Sequence, residues 1–425
     1  MRPTLFYLPH EFLGFPLLGF GWVLGLLVLG IGIYLIATRK KRPLVQSLSE
    51  FGFVWIAAAA VIVFLLPRIE THVDDGTPEG WTIGLPVRGY GVMLMLGVVS
   101  AISIALSRCK KTGLSQDDFF SLATWVIVFG LLGARIFYVI QKWSELEGTT
   151  VMQKIYTSLK FTEGGLVVYG SVIGGLIAVL LWTRKRKIAL LSTADAVTPA
   201  FFIGLAFGRI GCLLNGCCYG GTCEPGLPSI TFPSGSPAYM DQLASGELLG
   251  MLTHKAVNLD KPEAIRSVLP NSWAAQNKIE AGQVLNRVNP EMVGGITKEE
   301  PLASPVFAAT VQVDGKTSMV PSTSVPSRSL AVHPSQIYAS ISGLLLCGFT
   351  FFLSERSKRP GLVFGAGIIG YGVLRIIEEY IRVDEAGVFG TPFSIAQWIS
   401  IGGIGLGIAV LAISRRQNGT PSTSP

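Results

Sequence analysis

Two arginines, Arg209 and Arg375, stand where an apolar sequence least tolerates a permanent charge. Arg209 interrupts the apolar run from Ala200 to Leu214 within Gly208-Arg209-Ile210-Gly211, and Arg375 closes Gly370-Tyr371-Gly372-Val373-Leu374-Arg375. A guanidinium keeps its proton, and holding one at a bilayer centre costs roughly 2.5–3.5 kcal/mol on insertion scales. Such a group persists where an anion or a water-filled cavity meets it. Arginine also offers fixed, planar, bidentate donors that match phosphate. Two membrane-embedded cations therefore point to a site for an anionic lipid head group. Each has a structural reading as well: Arg209 can snorkel to a head-group region as an anchor. Arg375 can pair with Glu379, one helical turn on.

Other polar groups gather in short motifs. Tyr90 and Tyr371 are hydroxyls beside glycines at the ends of apolar segments, a place where tyrosine commonly belongs to the aromatic belt. Asn215 and Gln336 are amides in or flanking the membrane, usable for a substrate or for satisfying helix ends. His333 precedes Pro334 and opens a segment, which is also a helix start signal. Cys212, Cys217, Cys218 and Cys223 crowd into twelve residues. Their spacing is neither Cys-x-x-Cys nor a zinc-ribbon pair, so no metal is expected. They read as small residues at a helix end, with a disulfide open to them in an oxidising compartment.

The elements that must position these groups are membrane spans. Of 425 residues, 49% are hydrophobic and 14% charged, well below the roughly 25% charged of soluble domains. The expected fold is an all-α, polytopic membrane helical bundle. Apolar segments at 15–37, 51–67, 89–107, 119–141, 165–183, 194–214, 335–353, 361–381 and 393–413 suggest about nine transmembrane helices. Net charge is +7, yet the basic residues sit in short tracts between apolar segments, which is a topology signal and excludes a nucleic-acid partner as the reason. The tracts are Arg39 to Arg42, Arg108 to Lys111, Arg184 to Lys187, Arg356 to Arg359, and Arg415-Arg416. Nine spans put all five on one side, the cytoplasm by the positive-inside rule, with the N-terminus outside and the C-terminus inside. No cleavable signal pattern precedes the first apolar segment, so the first span is expected to direct insertion.

This topology divides the chain into a two-span extension (1–84), a four-span core part (85–220), an extracytoplasmic insertion (221–332), a three-span core part (333–416) and a disordered tail (417–425). The insertion is rich in Pro, Ser and Gly, with weak periodicity, and parts of it read as irregular. Gly170-x-x-x-Gly174 is a small-residue pair that reads as packing within the chain.

In order and spacing, several motifs resemble the prolipoprotein diacylglyceryl transferase family. They are Arg88-Gly89-Tyr90-Gly91, Gly133-Ala134-Arg135, Gly164-Gly165 to Tyr169-Gly170, and Gly204 to Gly211 with Asn215-Gly216 and Gly220. His333-Pro334-Ser335-Gln336 and Gly370 to Arg375 with Glu379 and Arg382 complete the set. The resemblance covers about residues 85–415, less the long 221–330 segment, and leaves out the first 80 residues. It implies a bacterial inner-membrane enzyme with its active site at the outer leaflet. Its partners would be the bilayer, phosphatidylglycerol and the signal peptides of prolipoproteins, with no cofactor. The implied reaction moves a diacylglyceryl group to a cysteine thiol and releases glycerol phosphate. The implied catalytic residues are Arg209, Arg375, Tyr90 and Tyr371. The implied substrate contacts are Arg209, Arg135, Asn215, Gly220, Gln336, Glu379, Tyr169 and His333.

The chain departs from the family pattern at Tyr169, where many members carry a histidine proposed as the base, and at Cys212, Cys217 and Ala339. A transporter or anionic-lipid-binding protein and an inactive relative are the alternatives. No paired repeats favour a transporter.

Overall fold

The computed structural model describes residues 3–39, 44–73, 81–112, 114–143, 146, 150–158, 167–223, 228–253, 262–295, 300, 302–357, 359–382 and 390–417. Gly164, Gly165, Lys40 to Arg42 and the tail beyond Gln417 lie outside them. Each apolar segment carries a helix. Among the described residues, six are long and apolar enough to cross a membrane: Gly52–Ile69, Gly89–Cys109, Gln116–Gln141, Leu190–Asn215, Ser335–Arg356 and Ile395–Arg416. The other three fall short for visible reasons. Trp22–Thr38 has 17 residues, Val168–Arg186 ends in a basic turn, and Leu362–Glu379 carries Arg375, Glu378 and Glu379. The chain is therefore a mostly helical, multi-pass protein.

It is not helical throughout, and here the all-α expectation needs correction. Residues 1–94, 210–336 and 382–384 form one compact unit, and residues 95–209, 337–381 and 385–425 form another. In the first unit, Thr4–Pro9 and Thr71–Val73 flank Trp81–Arg88 in a three-stranded antiparallel sheet. The 221–332 segment builds a second sheet of five strands: Met251–Thr253, Glu263–Val268, Val284–Gly294, Val306–Val313 and Lys316–Val320. Its logic is period two, since Ala309, Val311 and Val313 point inward while their neighbours are more exposed. They meet Tyr239, Leu243, Leu249, Met251 and Ile265 in one buried core. Asp314-Gly315 joins the last two strands with both residues at positive φ, the backbone that a two-residue hairpin of this twist demands. The short helix Pro237–Ala244 starts at Ser236, whose hydroxyl accepts from the Tyr239 N–H at 3.3 Å.

In the second unit, Gln116–Gln141 and Val168–Arg186 approach through glycine. A Cβ on Gly170 would lie 2.3 Å from the Gly133 carbonyl oxygen, and one on Gly174 2.1 Å from that of Phe129. The small-residue pair is thus intramolecular packing. Leu362–Glu379 begins where Asp195 accepts from the N–H groups of Gly361 and Phe364 at 2.6 and 2.8 Å, which satisfies donors that a helix start leaves open. Arg108 donates to Ser354 Oγ at 3.0 Å and pairs with Glu355, while its guanidinium sits 4.1 Å from the Phe351 ring centre.

Candidate active site

Three helices of the second unit each turn one stripe toward a common cleft. Leu190–Asn215 supplies Leu205 and Arg209, and Ser335–Arg356 supplies Ala339, Ser342 and Gly343. Leu362–Glu379 supplies Tyr371, Leu374, Arg375 and Glu378. The spacings of three, four and seven are those of one helix face. The helices close on one another through small residues. A Cβ on Gly343 would lie 3.1 Å from the Ala206 nitrogen, and Ser340 Oγ donates to the Ala206 carbonyl at 3.1 Å.

The two guanidiniums differ in their electrostatics. Arg375 pairs with Glu379, whose other carboxylate oxygen accepts from Ser394 Oγ at 2.7 Å. Both members of the pair are buried or nearly so, and the pair fixes where the arginine's donors point. The structural reading of Arg375 is therefore correct as far as it goes, and the same residue also lines the cleft. Arg209 is half-buried and has no hydrogen-bond or ion-pair partner among the described residues. Glu378 lines the same cleft, and its Oε1 is buried without a hydrogen-bond partner among the described residues. A guanidinium and a carboxylate left unsatisfied in one apolar-walled cleft are costly unless a polar ligand completes them. The charges of such a cleft match those that a phosphate and a proton acceptor need.

Of the residues expected from sequence, this cleft gathers Arg209, Arg375 and Tyr371, with Glu379 behind Arg375. Others lie elsewhere. Arg135 is buried, donates to the Thr157 carbonyl at 3.3 Å and covers the Tyr138 ring at 5.2 Å, which is a structural setting. Tyr169 is exposed near the start of its helix and is absent from the cleft lining.

In the first unit, Tyr90 is exposed, and its ring lies 3.0 Å from where a Cβ on Gly211 would stand. Asn215 ends the Leu190–Asn215 helix. The Gly220 N–H donates to the His333 carbonyl at 3.0 Å, and His333 Nδ1 is 3.7 Å from Cys223 Sγ. Gln336 is 1% exposed and donates to the Cys217 carbonyl at 2.8 Å, while its Oε1 has no hydrogen-bond partner among the described residues. Sequence reasoning missed Glu378, Ser342 and Gly343. Glu378 carried a signal, lying seven residues after Tyr371 and three after Arg375 on an apolar helix.

A multi-pass helical membrane protein with two guanidiniums lining one cleft is the class that the fold and site define. Residues 78–413 match the family model for prolipoprotein diacylglyceryl transferase. The chain is 35% identical to a Rhodopirellula baltica protein named phosphatidylglycerol–prolipoprotein diacylglyceryl transferase, over 100% of this chain and 91% of the relative. It is 29% identical to a Clostridium tetani protein of the same name, over 78% of this chain and 95% of that one, and 26% identical to a Bdellovibrio bacteriovorus one, over 78% and 90%. The chain belongs to the prolipoprotein diacylglyceryl transferase family. The first relative also matches the opening 80 residues, which the motifs alone had left out.

Proposed function

We propose that this protein transfers the diacylglyceryl group of phosphatidylglycerol to the cysteine thiol of a prolipoprotein signal peptide, the first step of bacterial lipoprotein maturation. The names of its relatives supply the substrates. The observation that carries the chemistry is Arg209, half-buried without a partner among the described residues, in a cleft shared with Arg375, Tyr371 and Glu378.

The reaction forms an S–C bond at the primary glyceryl carbon and breaks the C–O bond to phosphate. Glycerol phosphate leaves with the bonding pair. The charge that develops on the leaving oxygen falls to Arg209, with Arg375 held by Glu379 as a second donor. Preorganised cations in a low-dielectric cleft act most strongly where charge develops. The thiol proton needs an acceptor, and Tyr169 is a poor one. Glu378 is the carboxylate of the cleft and takes that role in this reading. Ala339 leaves no acid beside Arg209 at that position, so the guanidinium remains available to phosphate. Tyr90, Asn215, Gly220, Gln336 and His333 are proposed as further substrate-handling residues carried by the first unit, and Arg135 and Tyr169 to support the fold of the second.

The proposed setting is the inner membrane, with nine spans, the N-terminus outside and the 221–332 insertion outside. Supporting this, the basic tracts of the second unit collect at one end of its helices: Arg108 with Ser354 and Glu355, and Arg186 with Asp118. Asp195 belongs to that end through Gly361. Arg209 lies fourteen residues further along the same helix, about 21 Å at 1.5 Å per residue, which supports a cleft nearer the outer leaflet.

The test is direct. Purified protein in phosphatidylglycerol bilayers, given a signal peptide with its cysteine, should add the mass of one diacylglyceryl group. If lipid binds and no adduct forms, the binding-only and inactive readings win. Glu378→Gln should depress transfer at neutral pH and recover it as rising pH ionises the thiol unaided. An unchanged pH profile would remove Glu378 from proton transfer.

A further inference from the structure

By spacing alone the cysteines match no common metal-ligand pattern. The fold changes that. Cys212 lies in the last turn of Leu190–Asn215. On a continuing helix, Cys212 and Cys217 would stand about 140° apart, on different faces. Instead the helix stops. The N–H groups of Gly216 and Cys217 both donate to the Cys212 carbonyl, at 2.9 and 3.1 Å, with Gly216 at φ +78° and Cys218 at φ +58°. This reversal carries two sulfurs back over the third. The Sγ atoms of Cys212, Cys217 and Cys218 all lie within 4.8 Å of one another.

We propose that Cys212, Cys217 and Cys218 form a binding site for one soft d10 cation, zinc(II) or copper(I). Three thiolates at metal–sulfur distances of about 2.3 Å require sulfurs about 3.8 Å apart, so small rotations about χ1 complete the site. Thiolate donors select such ions over hard ones. Two buried groups brace the loop: Gln336 Nε2 donates to the Cys217 carbonyl and Ser335 Oγ to the Cys218 carbonyl, each at 2.8 Å. Bracing of this kind holds ligands in place before the ion arrives. All three cysteines are half-buried, which shields the ion while leaving a path to it. Three sulfurs satisfy copper(I), while zinc(II) would keep its fourth position open to water or another thiol. The site needs nothing from the transferase reading, and its test does not use activity.

Full-length protein, purified in detergent under reductant, is given one equivalent of zinc(II) or, in a second arm, copper(I), and passed through a desalting column. The expected result in at least one arm is about one ion retained per chain. X-ray absorption should then show a sulfur shell at about 2.3 Å. Alkylation read by mass spectrometry should spare these three thiols until a chelator is added. Cys212→Ser and Cys217→Ser should each weaken retention at least tenfold, while Cys347→Ala should not. The proposal fails if the reduced wild type retains neither ion, or if the retained ion has no sulfur shell. It fails equally if the serine variants hold metal as well as the wild type, or if the alkylation pattern ignores both metal and chelator. The wild-type absorption and alkylation measurements decide the matter even where a variant does not fold. A protein whose cysteines pair as a disulfide and that takes up no metal after reduction also overturns it.

Discussion

A guanidinium that no carboxylate neutralises is rare inside a helical bundle, because its desolvation is offset only by what binds it. Among the described residues Arg209 has no ion-pair partner, whereas Arg375 already has Glu379. The two should therefore answer mutation differently. Arg209→Ala is expected to lower transfer by about 10²–10³, the range for losing one preorganised donor, with little loss of stability. Arg209→Lys should not restore it, because an ammonium lacks the bidentate fork. Full activity in either variant, measured by peptide mass shift, would take Arg209 out of the mechanism. Arg209, Arg375 and Tyr371 were legible in the sequence because charge and hydroxyl contrast with an apolar run. Glu378 was not, since two adjacent acids near a helix end look like solvated surface, and only the stripe formed with Tyr371 and Arg375 shows otherwise.

At the scale of elements, glycine sets how closely helices approach. Gly174→Ala would press a methyl 2.1 Å from the Phe129 carbonyl, which must move. We expect a loss of about 1–3 kcal/mol, the usual cost of overpacking. Gly175→Ala meets only Val126 at 3.7 Å and should be near neutral. Equal melting temperatures for the two variants would show that the helices can simply move apart. The five-stranded sheet was half legible. Asp314-Gly315 between apolar runs is a strong hairpin signal, but Ala and Thr dilute the alternation of Val306–Val313, so the strands read as irregular chain. That domain also makes a pH prediction. Burial raises the Glu247 carboxyl above the ordinary glutamate range. The folded state then holds this proton more tightly than the unfolded chain, so stability falls as pH rises through the interval between the two values. Glu247→Gln should raise the melting temperature at pH 7 and leave it unchanged at pH 3. An equal effect at both would refute the linkage.

Across the whole molecule, nine apolar segments were visible because a spanning helix needs about 20 apolar residues and little else does. The structure puts a helix on each, though only six pass as spans by length and composition among the described residues. The shortfall at Leu362–Glu379 comes from its charges: Arg375 and Glu378 line the cleft, and Glu379 pairs with Arg375. Under the proposed function these charges are kept for the site, and they make the helix look less like a span. Counting Leu362–Glu379 and Val168–Arg186 as spans would bring every basic tract to one side. Leaving either one out would scatter the tracts against the charge bias that orients membrane helices. The consequence can be read in cells. A protease site inserted at the exposed Ala281 should be cut from outside in spheroplasts. A tag following Gln417 should be cut only after lysis. Protection of the first site would place the 221–332 segment inside. The cleft, about 21 Å along its helix from the basic end, would then open toward the wrong leaflet for a secreted thiol.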